Sequence, residues 1–548
     1  MRVLIARSLI IAAVVLGGAG VIAAQGGLGS GSGDDDDAPR EIREQTYEYA
    51  GTRECRDCHH DSISAHANTP HARTLVELEP DMAPEENPIV ADFSVGADLR
   101  EVTFPDESTR PFNAEDVAYT LGSGVNAQAY VYAAEDGLFV FPAEWRVDEA
   151  EWVSLDLGSD WLGDDHAFGA NCAGCHAQGV NVEDDYAWEE DAVMCESCHG
   201  PGLDHVEAVD DAGRDIDDFE RSEIYALINL GLDSATCGSC HVRGLSADGA
   251  HPYPANHFPD QDLAAAFNAV EPGDDAFFYS TGHARLSYMQ YNEALTSSHA
   301  AALSDMQSAT DDYGLECLIC HSVASLRMEA LLANEEIDPE TVTVASVVEE
   351  IPHGVTCASC HNAHMTLEDG ELPPAAGLRA DVTCVGCHMD TDATDGLHVA
   401  TTEVFQGIAL VESVEPVPSA HFSAEDGPTC TSCHMATVDT PRGPRSSHTF
   451  NIVNPAAAPD EEMLQDSCSG CHEETPASLG DLIDDIQVST AERVEAARSA
   501  VNDDTPAWVS TALDAVERDG SNGVHNYAYT DALLDAVETE LNLTDEEA

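Results

Sequence analysis

The spacing of apolar residues predicts helices at the C-terminal end of the chain and strands in its N-terminal third. Three segments near the end repeat apolar residues at i, i+3 and i+4, as amphipathic helices do; they are STAERVEAARSAV, PAWVSTALDAVERD and YTDALLDAVETELN. The segment AQAYVYAAEDGLFVFPAEW instead alternates aromatic and aliphatic residues around a turn at Asp136-Gly137. We therefore expect C-terminal helices over 476–548 and a small β-rich insert over 90–160.

The N-terminus has the pattern of an export signal. Arg2 and Arg7 precede an apolar stretch over residues 9–24, which is short for a membrane-spanning helix. Residues 1–24 are predicted to be a signal peptide or an N-terminal anchor, and residues 25–48 an acidic Gly/Ser linker. The predicted location is secreted or extracytoplasmic, with the cell surface as one possibility.

Nine copies of the pentapeptide Cys-x-x-Cys-His use every cysteine in the chain. Eight of them are crowded between residues 172 and 472, a density that leaves little room for a conventional apolar core. In chain order, motifs 1 to 9 are Cys55/Cys58/His59, Cys172/Cys175/His176, Cys195/Cys198/His199, Cys237/Cys240/His241, Cys317/Cys320/His321, Cys357/Cys360/His361, Cys384/Cys387/His388, Cys430/Cys433/His434 and Cys468/Cys471/His472.

This pentapeptide is the attachment site of c-type haem, in which two thiols bond to one porphyrin and the histidine becomes a ligand of the iron. A disulfide framework would leave nine trailing histidines unexplained. Zinc sites use paired CxxC units or distant histidines, and iron–sulfur proteins use tighter or proline-flanked cysteine clusters. The sequence therefore predicts nine covalently attached c-type haems. The expected fold is mainly α with much irregular structure and a haem-packed core, comprising a first haem segment over 49–89 and an eight-haem core over 161–475.

Fifteen histidines lie outside the motifs, so a second histidine ligand for all nine irons is feasible. His205, His364 and His398 each lie close in sequence to a motif. Met389 and Met435 follow motif histidines too closely to reach back over the same iron, and we interpret them as packing residues. Bis-histidine ligation in a negative field favours Fe(III), so mostly low midpoint potentials are expected.

The amino-acid composition is extremely acidic. Asp and Glu total 103 against 21 basic residues, all of them arginine, which gives a formal net charge of −82. Self-repulsion of this size destabilises a compact chain unless salt screens it. We infer a halophilic protein, and we exclude nucleic acid and anionic membrane surfaces as favoured partners.

Several segments, in order, resemble the secreted multihaem cytochromes c of the nitrite reductase, octahaem reductase and hydroxylamine oxidoreductase superfamily. They include YAGTRECRDCHHDSISAHANTPHA, NCAGCHAQG, MCESCHGPGLDHV, GVTCASCHNAH, SSHTF and GVHNYAYTDALL. The segment YTLGSG…AYVYAAEDGLFVFPAEW resembles the β-insert of some members. The resemblance implies a haem-packed fold and distal iron ligands at His71, His205, His299, His364, His421, His448 and His525. His283 and His398 are the candidates for the two remaining irons.

That superfamily contains both electron carriers and enzymes. Some of its enzymes use a CxxCK motif, and this chain has no lysine; others use a tyrosine crosslinked to the haem. We therefore expect an electron carrier, with redox proteins or an extracellular acceptor as partners and self-association into a longer haem chain as a further possibility. The alternative is an oxidoreductase of nitrogen or sulfur oxyanions such as nitrite, hydroxylamine or tetrathionate. Its open haem would lie near Arg285, Tyr288 and His283.

Overall fold

The structure is a computed structural model that describes residues 46–543 except 80–81, 84–86, 156, 159, 214–223, 311–312, 334–342, 365–383, 390–396, 425–426 and 457–463. The predicted signal peptide or anchor and nearly all of the acidic linker lie outside the described residues. Within the described ranges, no helix is long and apolar enough to cross a membrane.

The strands are short. They are β1 (Leu75–Glu77), β2 (Glu101–Thr103), β3 (Thr109–Pro111), β4 (Tyr119–Leu121), β5 (Ala127–Ala134), β6 (Gly137–Val140), β7 (Ala143–Arg146), β8 (Glu151–Ser154), β9 (Ala177–Gln178), β10 (Glu190–Asp191), β11 (Gly244–Ser246), β12 (Phe267–Ala269), β13 (Thr437–Thr440) and β14 (Gly443–Ser446).

A six-stranded antiparallel sheet occupies the region where the β-rich insert is expected. Its strand order is β1-β4-β5-β7-β8, and β6 pairs with β5. In the β5–β6 hairpin, Ala134 pairs with Gly137, so Glu135 and Asp136 form the turn, one residue earlier than predicted. Gly137 has a φ of 148°, which side chains rarely tolerate. Strand β1 also joins the sheet, which therefore begins before residue 90.

The sheet carries an aromatic core of its own. Phe112 and Phe141 stack with their ring centroids 4.0 Å apart, and both are fully buried. The guanidinium of Arg100 lies 5.2 Å from the centre of the Trp152 ring and donates to the carbonyl of Phe93 at 2.7 Å. Aromatic burial of this kind stabilises a small sheet without help from a cofactor.

The helices are mostly one or two turns long. They are α1 (Thr52–Cys55), α2 (His60–His66), α3 (Gly174–His176), α4 (Cys195–His199), α5 (Leu203–Ala212), α6 (Ser234–Gly238), α7 (Leu263–Ala266), α8 (Gln290–Ala294), α9 (Ser298–Ala309), α10 (Leu315–His321), α11 (Ala324–Ala333), α12 (Val344–Glu350), α13 (Cys357–Cys360), α14 (Cys384–Cys387), α15 (Thr401–Gln406), α16 (Ala420–Ser423), α17 (Cys430–His434), α18 (Pro476–Ala500), α19 (Ala507–Asp519) and α20 (Tyr527–Leu541).

The three C-terminal helices pack around an apolar core that also includes Val411 and Val414. Thr475 caps α18 by accepting from the N–H of Ser478 at 3.3 Å, and Pro476 occupies the first turn, where its missing N–H costs nothing. Leu513 of α19 and Leu533 of α20 are fully buried in this core. Helices make up 39% of the described residues and strands 13%, which agrees with the expected mainly helical fold with much irregular structure.

Candidate haem-binding sites

Most motifs lie on single helical turns. Motifs 3, 5, 6, 7 and 8 lie on α4, α10, α13, α14 and α17, while motif 9 lies in turns. Two of these helices begin with a capping box: Thr356 with Ser359, and Thr429 with Ser432. A helical turn brings residues three apart onto one face, which suits the attachment of both thiols of a motif to one porphyrin.

All nine motifs line one connected cavity. Its volume is about 4010 Å³, or roughly 450 Å³ for each motif, within the ~300–1,000 Å³ of ordinary single-ligand sites. All eighteen cysteines are free thiols, as haem attachment requires. A void of this size would forfeit most packing contacts if nothing filled it. The cavity and its thiols therefore fit a set of covalently held haems.

Seven motif histidines face a second histidine across this cavity, with ring centroids 5.9 to 6.3 Å apart. A metal–imidazole bond of about 2.0 Å plus roughly 1 Å to each ring centre predicts about 6 Å for two imidazoles on opposite faces of one iron. The spacing therefore fits an iron between the rings. The pairs are His241 with His71, His199 with His364, His388 with His299, His321 with His398, His361 with His448, His472 with His421, and His434 with His525.

Backbone carbonyls orient several of these rings. The Nδ1 atoms of His199, His321 and His434 lie 2.6, 3.1 and 3.0 Å from the carbonyl oxygens of Asn229, Ala302 and Phe450. Such a bond places the proton on Nδ1 and leaves Nε2 free for a metal.

Burial also keeps some of the rings neutral. It lowers the pKa of His71 to about 4, together with the charges of His241 and His66. Burial likewise lowers the pKa of His448 to about 4. The neutral imidazole is the form that binds a metal, so these side chains are ready to act as ligands without losing a proton.

Two predicted distal ligands lie outside the seven pairs. The ring of His205 lies near His199, as His59 does, and its Nδ1 is 3.1 Å from the carbonyl of Ile224, which leaves Nε2 free. His283 is fully buried. Its Nδ1 lies 3.0 Å from the Thr281 hydroxyl and its Nε2 lies 3.2 Å from the carbonyl of Asn451, so both ring nitrogens already have protein partners.

His176 of motif 2 has an arginine and tyrosine environment instead of a ring partner in the described chain. Burial and the charge of Arg442 lower the pKa of His176 to about 4. The guanidinium of Arg442 lies 5.8 Å from the Tyr288 ring centre. Arg243 is also nearby: burial lowers the pKa of Arg243, and the positive charge of Arg442 lowers it further. All three side chains line the cavity.

The other two side chains proposed near an open haem lie elsewhere. Arg285 is stacked on Tyr279 at 4.1 Å and donates to the Phe278 carbonyl at 3.0 Å, while His283 has the buried contacts given above. The sequence interpretation missed Arg442 and Arg243. The segment PRGPRSSHTF contains two arginines within four residues, and such a cluster is unusual in a chain with so few basic residues. It could have indicated the position of Arg442.

A buried ion pair fixes the segment that presents His448. Glu293 is 0% exposed and binds the guanidinium of Arg445 at 2.9 Å. Its carboxylate also accepts from the backbone N–H of His448 at 2.8 Å and of Ala284 at 2.7 Å. Helix α8, which carries Glu293, is thereby tied to strand β14 and to a histidine facing motif 6.

The proximity of thiols from different motifs gives the order of the motifs in space. The thiols in hydrogen-bond contact are Cys55 with Cys195, Cys237 with Cys357, and Cys384 with Cys430. The thiols that lie close enough for their charges to interact are Cys198 with Cys240, Cys360 with Cys384, and Cys433 with Cys471. Two further contacts, Cys175 with Cys240 and Cys320 with Cys387, add side branches. The motifs thus follow the line 1-3-4-6-7-8-9, with motif 2 beside motif 4 and motif 5 beside motif 7.

Known proteins resemble this chain in both fold and motif. The family model for cytochrome c552 matches residues 418–521, and that for cytochrome c554 and c-prime matches residues 158–200. The outer cell wall cytochrome OcwA is 27% identical, with a TM-score of 0.69 over 90% of this chain and 99% of that one. The undecahaem cytochrome from the S-layer of Carboxydothermus ferrireducens is 22% identical, with a TM-score of 0.54 over 93% of this chain and 71% of that one.

No curated protein matches the chain. The families and the structural neighbours nevertheless agree on its class: it is a multihaem c-type cytochrome, which holds haem iron covalently. The expectation of c-type haem is therefore confirmed.

Proposed function

We propose that this protein is an extracytoplasmic electron carrier that holds nine haems, most of them between two histidines. The observation that carries the proposal is the set of seven facing histidine pairs at about 6 Å, each with one motif histidine. An iron with both axial positions taken by the protein exchanges electrons without binding substrate.

The order of the motifs supports a relay. Bound haem supplies an iron that cycles between the ferric and ferrous states, and the chain's part is to space and orient these irons. Thiols of neighbouring motifs lie close together along the line from motif 1 to motif 9. Cys58 and Cys471 at its two ends are exposed, as are Cys384 and Cys430 of motifs 7 and 8. We infer that the ends are where electrons enter and leave.

The partners follow from this arrangement and from the charge. Redox proteins or an extracellular acceptor would meet the exposed ends, and a second copy docking end to end would extend the line. The likeness to an outer cell wall cytochrome and to an S-layer cytochrome supports a location outside the cytoplasm. A net charge of −82 favours partners or acceptors with positive surfaces.

Spectroscopy of the purified, haem-loaded protein tests the carrier function. We expect nearly all haems to be low-spin and to titrate at low potential, with rapid electron exchange with a soluble redox dye. Mostly high-spin haems that bind carbon monoxide would contradict the proposal.

A second candidate function rests on the surroundings of His176. With no histidine ring facing it in the described chain, and with Arg442, Arg243 and Tyr288 lining the same part of the cavity, motif 2 could hold one open haem. Two guanidiniums and a phenol favour a small anion through charge-assisted hydrogen bonds. Reduction of a nitrogen or sulfur oxyanion is the activity that this arrangement supports.

Turnover assays with nitrite, hydroxylamine and tetrathionate test the second candidate. If it is correct, R442Q lowers the turnover rate at least tenfold. R285Q is the control and should leave the rate unchanged, because Arg285 is stacked on Tyr279. Absence of turnover with all three compounds in a fully loaded protein would remove the candidate and leave the carrier function standing.

A further inference from the structure

A buried carboxylate lies behind one of the paired histidines. The Nδ1 atom of His525 is 2.7 Å from Oδ1 of Asp519, whose side chain is only 1% exposed. The other carboxylate oxygen accepts from the hydroxyl of Ser521 and from its backbone N–H at 3.3 Å. Asp519 is the last residue of α19, so helix and side-chain contacts both hold the carboxylate in place.

This contact differs from those of the other paired rings. The Nδ1 atoms of His199, His321, His434 and His448 face backbone carbonyls. Nδ1 of His472 has a carboxylate nearby, but Glu474 is 3.7 Å away and 59% exposed, which is too far for a hydrogen bond. Of these six rings, His525 is thus the one with a buried carboxylate in hydrogen-bond contact.

We propose that Asp519 lowers the midpoint potential of the haem held between His434 and His525, and that it acts through the Nδ1–H of His525. The inference rests on the proposed bis-histidine ligation at motif 8. A carboxylate that accepts the Nδ1–H draws the proton toward itself and gives the ring imidazolate character, which makes Nε2 a stronger donor. A stronger donor and a buried negative charge both favour the ferric state.

The place of motif 8 in the array gives this tuning a consequence. Its Cys430 is in hydrogen-bond contact with Cys384 of motif 7, and its Cys433 lies close enough to Cys471 of motif 9 for their charges to interact. Electrons moving between motif 9 and the rest of the line must therefore pass motif 8. By lowering the potential of that haem, Asp519 makes electron transfer onto it less favourable and transfer from it more favourable.

Redox titration of the haem-loaded protein tests the role of Asp519, with D519N as the variant and E474Q as its matched control. We expect D519N to raise one midpoint potential while haem content and low-spin character stay unchanged. E474Q should leave all midpoints where they are in the parent, because its carboxylate makes no hydrogen bond with His472. Unchanged midpoints in a folded, fully loaded D519N would overturn the inference.

Two further measurements keep the outcomes distinct. H525A should create one high-spin haem. If it creates none, the proposed ligation at motif 8 is wrong. If H525A creates one high-spin haem but D519N changes no midpoint potential, only the role of Asp519 is refuted. If D519N does not fold, near-infrared magnetic circular dichroism of the parent protein still tests whether His525 has imidazolate character. One charge-transfer band at higher energy than the others supports imidazolate character, and a uniform set of bands overturns it.

Discussion

At the scale of single residues, histidine has three roles in this chain. Motif histidines follow thiols, distal candidates face them across a cavity, and a few support the structure. His166 shows the third role: it is 1% exposed, and its Nδ1 lies 2.7 Å from the carbonyl of Val140. His283, expected as a ligand from the resemblance, has its two nitrogens engaged in the same way. Local sequence does not separate these roles, because each depends on what the ring meets in space.

Removing one paired ring should open one iron. We expect H448A to convert one low-spin haem to a high-spin haem that binds carbon monoxide, because the ring facing His361 is lost. Its midpoint potential should rise, since a donor to the ferric iron is removed. Optical and electron paramagnetic resonance spectra of the variant measure both effects.

H353A is the control for this change. The ring of His353 lies 4.0 Å from Asp233 and faces no motif histidine among the described ring pairs, so its loss should add no high-spin signal. A low-spin H448A with the spectrum of the parent would contradict the pairing with His361.

At the scale of elements, one short central helix is held by a buried polar anchor. Helix α8 has five residues, too few to be stable alone, and its Glu293 connects it to β14 and to the His448 segment. The C-terminal helices behave differently, since they pack on one another through buried leucines. Amphipathic periodicity therefore predicted α18 to α20, but not the short central helices.

Neutralising the buried carboxylate should destabilise the central region. E293Q leaves the guanidinium of Arg445 without its charged partner, and breaking a buried pair in this way costs about 3–5 kcal/mol. D535N is the control, because the exposed pair of Asp535 with Arg493 is worth only about 0–1 kcal/mol. Denaturant unfolding followed by circular dichroism measures the difference, and equal losses in both variants would contradict the anchoring role.

The same pair predicts a dependence on pH. Burial opposes ionisation of Glu293, but the hydrogen bonds and charge of Arg445 prevail and lower its pKa. A carboxyl with a lower pKa in the folded than in the unfolded chain contributes stability above about pH 4.3, its unfolded value, and loses it as pH falls through the folded value. The stability gap between parent and E293Q should therefore narrow on acidification, and a gap independent of pH would contradict this assignment.

At the scale of the whole molecule, a cavity takes up much of the interior. A cavity of about 4010 Å³ that touches all nine motifs leaves the central region with several small apolar clusters instead of one core. Folding and haem attachment should thus be coupled, as metal binding and folding are in small metalloproteins.

Haem loading should decide whether the central region folds. Intact-mass measurement is expected to show nine added macrocycles on the chain. Protein produced without haem attachment should lose the central fold while the three C-terminal helices keep their own core. Limited proteolysis that cuts within 161–475 but spares 476–541 would show this, and equal resistance of loaded and unloaded protein would contradict it.

Salt should stabilise the whole molecule. With a net charge of −82, the acidic side chains repel one another, and the screening length falls from about 10 Å at 0.1 M salt to about 3 Å at 1 M. The unfolding temperature should rise steadily over this range. Potassium chloride and ammonium sulfate at equal ionic strength separate two causes of a higher unfolding temperature. An equal rise with both salts indicates charge screening. A rise with sulfate alone indicates that sulfate is excluded from the protein surface and would contradict our interpretation.

The sequence by itself determined the chemistry that is local. Two thiols and a histidine within five residues, repeated nine times, indicate haem attachment sites, and i, i+3, i+4 periodicity defined the C-terminal helices, because both depend only on near neighbours along the chain. The tertiary structure decided which ring faces which. His71 meets His241 across most of the N-terminal half of the chain, and the carboxylate of Asp519 reaches one ring of the set. These contacts join distant segments around a shared cavity, so no local pattern encodes them.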